Sequence, residues 1–401
     1  MSDSYIRPAT AAPAAPVADF GPIVKVLAEV DAAAEKYGLG DPRLRAAYHA
    51  QVLMILSGAY VEAFGTDIDY PDWVPYLPYY VARAAPNPDT VYQFAPIDAN
   101  GTYRISGVKG TETIAAITLR KGGAHIGLRS GARVGEIDFA NLQADAQGRY
   151  SFVLSRERPQ GYDGQWFELH PETNNLMLRR VTKNASQVDG TTGIERLDRR
   201  PAPAALSDAQ VAARFDAVAR YVVSQNEFLL GYMKRLRGLG AEQSFVLDDQ
   251  SGYGGLIVQS HYFHQYTLAP DEALILESPL PKHVKYWSIQ VITPFAATVE
   301  YALHQSSLND AQAQRDADGR VRCVLAHEDP GVPNWLDPAG WHQGGVQWRW
   351  NEVDEAPHPT VRKVKLAELR AALPPGTPRV SAEQRRAALS ARAAYYQARR
   401  R

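Results

Sequence analysis

The apolar residues of this chain change period along its length. They recur at three- and four-residue spacing near the start, alternate one-in-two over two later stretches, and return to helical spacing in a single long segment between those stretches. Because a strand places successive side chains on opposite faces and a helix brings residues three and four apart together, neither pattern can bury its apolar face in the other's conformation. The chain is therefore expected to be α+β and mainly β, with two antiparallel β-sandwich or jelly-roll-like regions and a long helix between the sheets. A helical hairpin precedes them and a helical arm follows.

The individual signals give boundaries. Ile23, Leu27, Val30, Ala34 and Tyr37 form one stripe that stops at Gly38 and Gly40. A second begins with Asp41 as cap and Pro42 in the first turn, then Leu44, Tyr48, Val52, Leu56, Ala59 and Ala63 before Gly65. Residues 1–20 read as a flexible lead and 21–69 as the hairpin. The first β-rich region spans 70–205, with alternation at Tyr103 and Ile105 and apolar segments at 112–119, 149–154 and 176–182. Ser207 and Gln210 make a capping box opening a connecting helix over 206–240. The second β-rich region, 241–370, carries Trp287, Ile289 and Val291 on one face, and Val346, Trp348 and Trp350 on another strand. Residues 371–401 form a basic arm. No repeat of fixed period is visible.

Composition narrows the function. The 401 residues carry 43 Lys+Arg against 44 Asp+Glu, so no whole-chain basic field favours nucleic acid. One cysteine excludes a disulfide scaffold, and Cys323 reads as a core residue. No apolar run reaches membrane-spanning length and none near the start suits a signal peptide, so no membrane partner and a cytoplasmic location are expected. Gly-x-Gly-x-x-Gly, Walker and Gly-x-Ser-x-Gly patterns are missing, as are metal-ligand spacings, and no cofactor or metal is expected.

Three segments hold chemistry. Residues 70–96, with six prolines and seven aromatics, read as one long structured loop, and within it Asn87-Pro-Asp89-Thr-Val-Tyr92 presents an amide, a carboxylate and a phenol on a stiffened backbone. Asn334, Trp335, Asp337 and His342 gather on another proline-rich loop ahead of Arg349. His261 and His264 lie three apart, a spacing that on a strand turns them to opposite sides. Structural roles compete with each: an Asx turn for Asn87 and Asp89, backbone satisfaction for Asn334 and Asp337.

The motifs Asn87-Pro-Asp-Thr-Val-Tyr92, Ala95-Pro-Ile-Asp-x-x-Gly-Thr-Tyr-Arg-Ile-Ser-Gly107, Asp271-Glu-Ala-Leu274 and Asp329-Pro-Gly-Val-Pro-Asn-Trp-Leu-Asp337 occur together. By them the chain resembles the bacterial family catalogued as domain of unknown function 1214, over about residues 70–365. The resemblance implies a two-part β-rich body and assigns no chemistry.

The residues themselves lead to a cofactor-independent enzyme of lyase, hydratase or isomerase type acting on a small hydrophobic or aromatic catabolite. Asp337 or Asp89 would serve as base and His342 or His261 as acid. Asn87, Tyr92, Asn334, Trp335, Arg349, Tyr286 and His264 would hold the substrate. The competing expectation is a non-catalytic binding protein for an aromatic ligand, a glycan or a partner chain. The loops 87–92 and 334–342 are expected to line one pocket. The arm, with six arginines and one glutamate over 380–401, is expected to be dispensable for folding and to support a homo-oligomer if it docks at all.

Overall fold

The computed structural model describes residues 18–36, 39–198 and 205–399. The leading residues 1–17, most of the expected flexible lead, lie outside the described residues, as does Tyr37.

Helices α1 (Gly21–Lys36) and α2 (Pro42–Phe64) form the hairpin. The Asp41 carboxylate accepts from the backbone N–H of Arg43 and Leu44, which ends the orphaned first turn of α2 as its sequence suggests. The first β region then supplies β1 (Val74–Pro75), β2 (Thr90–Pro96), β3 (Tyr103–Val108), β4 (Ile114–Arg120), β5 (Arg133–Asp138), β6 (Arg149–Ser155), β7 (Gln165–Glu168), β8 (Asn175–Val181) and β9 (Thr191–Arg196). Two of these correct the reading of 70–96 as one loop: β1 and β2 pair antiparallel within it. Helix α3 (Asp208–Gly238) opens on the Ser207–Gln210 capping box, with both reciprocal bonds made.

The second region supplies β10 (Val246–Asp248), β11 (Gln259–Thr267), β12 (Glu272–Pro279), β13 (Val284–Ile292), β14 (Ser307–Asn309), β15 (Arg320–Ala326), β16 (Trp335–Leu336), β17 (Gln343–Val353) and β18 (Thr360–Lys365). Short α4 (Leu369–Ala372) and then α5 (Ala382–Ala398) close the chain.

These strands form four open sheets, and the fold is α+β and mainly β. In the first half the orders are β1-β2-β8-β4-β5 and β7-β6-β3-β9. In the second they are β10-β11-β17-β13-β14 and β16-β15-β12-β18. Adding nine to each strand number of the first half reproduces the second, down to the parallel pairs β6–β7 and β15–β16. The halves are one topology used twice. No sequence period reveals this, because loops of different length separate equivalent strands and core identities differ.

Each half buries its core between its five- and four-stranded sheets. Ile117, Leu119, Leu176 and Leu178 meet Tyr103, Ile105, Phe152 and Leu154 in the first. Trp287, Ile289, Val346 and Trp348 meet Leu274, Leu276, Val321 and Cys323 in the second. The Cys323 thiol is fully buried, and burial pushes its pKa up, as suits an inert core residue. Period-two alternation then turns the other face of each five-stranded sheet outward from its own sandwich. Those faces approach one another, sharing the cluster Ile114, Ala116, Val181, Leu256 and Tyr286. The three long helices pack their buried faces together beside this interface.

The arm departs from expectation. Arg385 in α5 pairs with Asp329 at 2.9 Å and bonds Gln305 and the Val332 carbonyl. Arg392 is buried against Ser307, and Tyr396 donates to Asp89 in the first half at 3.0 Å. Arg399 donates to the Asp89 carbonyl and approaches Asp189. Arg385, Arg392 and Arg399 of the basic arm are thus spent inside the chain, so α5 is a clasp across both halves. Its basic, helical character was visible in sequence; its acceptors, which run from Asp89 to Val332, were not.

Candidate functional site

A cavity of about 140 Å³ lies where the outward faces of the two five-stranded sheets and α3 meet. For scale, an apolar cavity of about 150 Å³ accommodates benzene. Its walls come from the central strands. From the first half Thr90 and Tyr92 of β2 and Met177, Arg179 and Val181 of β8 face it; from the second come Gln259, His261 and Phe263 of β11 and Gln347 and Arg349 of β17.

The two walls correspond. β8 and β17 are the middle strands of their sheets. Arg179 lies opposite Tyr92 on one neighbour and Ala116 on the other; Arg349 lies opposite His261 and Ser288. Aligned on the two arginines, Tyr92 takes the place of His261 and Met177 that of Gln347. The shared site is thus built from the same positions of a doubled topology.

Its charge is one-sided. Arg83, Arg120, Arg129, Arg179 and Arg349 line the cavity, and no described Asp or Glu does. Arg83, Arg120 and Arg349 are no more than 3% exposed, so water does not neutralise them. Arg83 has a carboxylate, Glu62 at 3.2 Å, itself held by Tyr221 and the Ala124 N–H. The others are met by neutral groups. Arg120 Nε donates to Asn175 at 3.0 Å while its Nη2 finds no acceptor; Arg349 Nη2 donates to the Ala85 carbonyl at 2.7 Å while its Nη1 finds none. Arg179 donates to Thr118 and the Gly254 carbonyl. Burial pulls Arg179 down to about 10, and Arg120 adds to the shift. Burial lowers Arg349 as well. A guanidinium stays charged at such values, and the shifts express the cost of burying that charge.

Aromatic faces complete the lining. The Tyr76 ring has Arg83 and Arg120 each 5.3 Å from its centroid, and Arg129 stacks 4.2 Å from Phe228 of α3. Two glycines let the arginines in. A side chain at Gly58 of α2 would strike the Arg83 guanidinium, and one at Gly254, where φ is +78°, would strike Arg120 Cδ at 2.7 Å.

His261 is the titratable base on the wall. Gln347 Oε1 accepts from Arg349 and from Gln290, so its Nε2 donates to His261 Nδ1 at 2.9 Å. A neutral ring then carries its proton on Nε2, 2.8 Å from Gln259 Nε2, a contact that requires the Gln259 amide to turn its oxygen toward the ring. Burial holds this imidazole well below its ordinary range, and Arg349 and Arg179 push the same way.

The backbone around the cavity is strained. Leu77, Ala84, Ala85 and Ala296 adopt positive φ between 50° and 63°, and all four line it. Such conformations cost side-chain-bearing residues about 1–3 kcal/mol each and cluster at functional sites.

Of the residues singled out by sequence, Asn87, Tyr92, His261 and Arg349 stand on this wall. Asp89 and Tyr286 lie one layer behind. The Asp89 carboxylate accepts from Tyr286 at 2.7 Å and from Asn309 and Tyr396 at 3.0 Å, and Tyr286 in turn bonds Asn87. Asp89 is a buried hub that accepts from three side chains and is not among the residues lining the cavity, so it is not placed to act as base there.

The loop 334–342 does not meet the cavity, and the expected pairing of 87–92 with it is corrected. Its strand, β16, belongs to the second half's four-stranded sheet, away from the interface. Asn334 spends its amide on the backbone of Gln314 and Arg322. Trp335 donates to Ala326. Asp337 accepts from Ala339 N–H and contacts His304 Nδ1 at 2.7 Å, and His342 packs at a tilt against His327. His264 faces away from His261, against Phe245.

With that geometry in place, comparison with known proteins identifies the central part of the second half. Residues 264–344 match the family model DUF1214, a protein of unknown function. The match with DUF1214 falls on the segment from within β11 to the start of β17, in line with the motif resemblance there. His261 and Arg349 lie just outside the DUF1214 segment, one at each end. No curated protein matches the chain. A crystal structure of an uncharacterized protein from Burkholderia cenocepacia is 25% identical with a TM-score of 0.80, covering 86% of this chain and 96% of its own. The VPA0106 protein from Vibrio parahaemolyticus is 11% identical at a TM-score of 0.44, covering 78% of this chain and 100% of its own.

Arg83, Arg120, Arg129 and Arg179 escaped sequence reading. The available signal was Arg179-Arg180 inside the otherwise apolar run Asn175–Val181, every residue of which is buried. Arginine rarely enters such a strand without a partner.

Proposed function

We propose that the cavity between the two halves binds a small organic anion, a carboxylate on a hydrophobic or aromatic body. The observation that carries this is a lining of five arginines and no carboxylate, three of which, Arg83, Arg120 and Arg349, have a buried N–H group lacking an acceptor. A carboxylate supplies those acceptors and the missing charge together, and charge-assisted bonds of this kind are the strong ones. Tyr76, Tyr92, Phe228 and Tyr253 supply flat apolar surface for the remainder of the ligand.

A second reading, catalysis of lyase or isomerase type on that anion, rests on His261. With Nδ1 held by Gln347 and Nε2 protonated, His261 acts as base in this reading where the ligand displaces the Gln347 donor, and it then takes a proton from a carbon next to a carboxylate whose charge the arginines hold. In this reading the acid–base role falls to His261 alone, since neither Asp89 nor Asp337 presents a free carboxylate to the cavity.

Melting the protein with benzoate and 4-hydroxybenzoate against benzamide tests the binding reading. At one hundred times Kd an acid should stabilise the fold by about 2.7 kcal/mol, whereas the amide should not. Equal shifts from acid and amide, or none from any acid, would count against it.

A further inference from the structure

We infer that the ligand is a straight-chain alkyl carboxylate, with its head in the arginine cavity and its tail in a second, apolar cavity beside it. This rests on the anion-binding reading above and names the class of anion. The second cavity, of about 440 Å³, lies between α2 and the segment 75–81. Leu56, Tyr60 and Val61 form its helical side, and Pro75, Pro78 and Val81 the other. No charged side chain lines it among the described residues, and its one serine, Ser57, already donates to the Leu53 carbonyl at 2.8 Å. Two of its tyrosines, Tyr60 and Tyr80, are exposed, so the space opens to solvent.

Two contacts tie this space to the arginine cavity. Tyr76 and Leu77 line both, so they form a common wall. Gly58 lines the apolar space, and a side chain there would stand 2.7 Å from Nη2 and 2.8 Å from Nε of Arg83, which lines the other. That Nε is buried without an acceptor. Cationic donors in want of a partner thus back onto a cavity that offers apolar surface. The arginine cavity is on the scale of one benzene ring, so a longer apolar body must leave it, and the adjoining space is about three times larger. A peptide would bring backbone N–H and C=O groups that an apolar lining cannot pair. An alkyl tail needs no partner and gains from each methylene buried. The tail crosses beside Leu77 and leaves the carboxylate with the arginines.

The test is isothermal titration of the full chain with butanoate, hexanoate, octanoate and decanoate below their micellar concentrations, and with 1-octanol. Affinity should rise about threefold to fourfold for each methylene added. Octanoate should bind at least about tenfold more tightly than 1-octanol, which lacks the charge for the guanidinium groups. Ser57→Trp, at an exposed position of α2 that lines the apolar space and not the arginine cavity, should flatten the rise by filling that space. Equal affinity at every chain length overturns the tail site and leaves the anion site standing, as does a rise that Ser57→Trp does not change. A wild-type dimer in sedimentation that Ser57→Trp splits assigns the groove to a second copy and overturns the tail. If no acid binds, or 1-octanol matches octanoate, the anion reading falls as well.

Discussion

Two loops in this protein carry the same polar pair and have opposite fates. Residues 85–92 and 334–342 each hold one Asn and one Asp on a proline-containing backbone, yet the first forms a cavity wall and the second closes an outer sheet. The difference lies in the strand each one serves. β2 belongs to a five-stranded sheet whose free face meets the other half, whereas β16 belongs to a four-stranded sheet that does not. The true counterpart of 85–92 is 254–261, ahead of the equivalent strand β11, and it also lines the cavity. A loop's chemistry shows what it can do; the sheet behind it decides whether that chemistry reaches a ligand.

The strongest way to break the comparison is to remove what ties both loops down. Deleting residues 380–401 takes Arg385 from Asp329 and Tyr396 and Arg399 from Asp89, so on the order of 5 kcal/mol should be lost, enough to threaten soluble expression. Chemical denaturation of the truncated chain checks this, and an unchanged midpoint would show that the clasp is decorative.

Asp89→Ala should cost about 3 kcal/mol, since Tyr286, Asn309 and Tyr396 all lose a buried acceptor. It should also weaken anion binding, because Tyr286 positions Asn87 on the wall. Asn334→Ala, in the other loop, should cost about 2 kcal/mol by stranding backbone groups of Gln314 and Arg322. Its anion affinity should match wild type. Equal loss of affinity in the two variants would erase the distinction between the loops.

One residue of the cavity wall, His261, ties stability to pH. His261 has a folded-state pKa well below its ordinary 6.5, so between those values the unfolded chain holds a proton the folded one lacks. Stability from this group is complete above about pH 6.5 and falls as pH drops, by up to about 1.4 kcal/mol per pH unit. His125 and His264 are lowered by burial and contribute in the same direction. His261→Gln should flatten the slope by one proton; an identical pH profile would mean His261 does not titrate as its burial requires. The smallest effect belongs to Asp337→Asn. Its partner His304 is substantially exposed, so about 0.5–1 kcal/mol and no change in anion affinity are expected from melting and titration.

Much of the architecture was legible because it depends on local rules. Asp41, Pro42 and the Ser207–Gln210 box marked helix starts, and the alternation at Trp287 and Trp348 marked strands of the second sandwich. Strand β2 was hidden under prolines that read as loop, and the doubled topology left no period because only the strand order is repeated. At the site, His261 and Arg349 stood out as polar residues in alternating strands. Their pairing with Arg120 and Arg179 depends on how two sandwiches face each other, which no local pattern encodes. Glu62 shows the same limit: it sits on the apolar stripe of α2 as an apparent exception, and its reason is Arg83.

The central claim is that equivalent positions of the two halves create a cationic cavity for an organic anion. A crystal structure of the full chain grown with benzoate tests it most directly. The account predicts a carboxylate within about 3 Å of Arg120 Nη2 or Arg349 Nη1, with the ring against the tyrosines of the wall. An empty cavity at saturating benzoate, or a carboxylate bound only outside it, would contradict the claim.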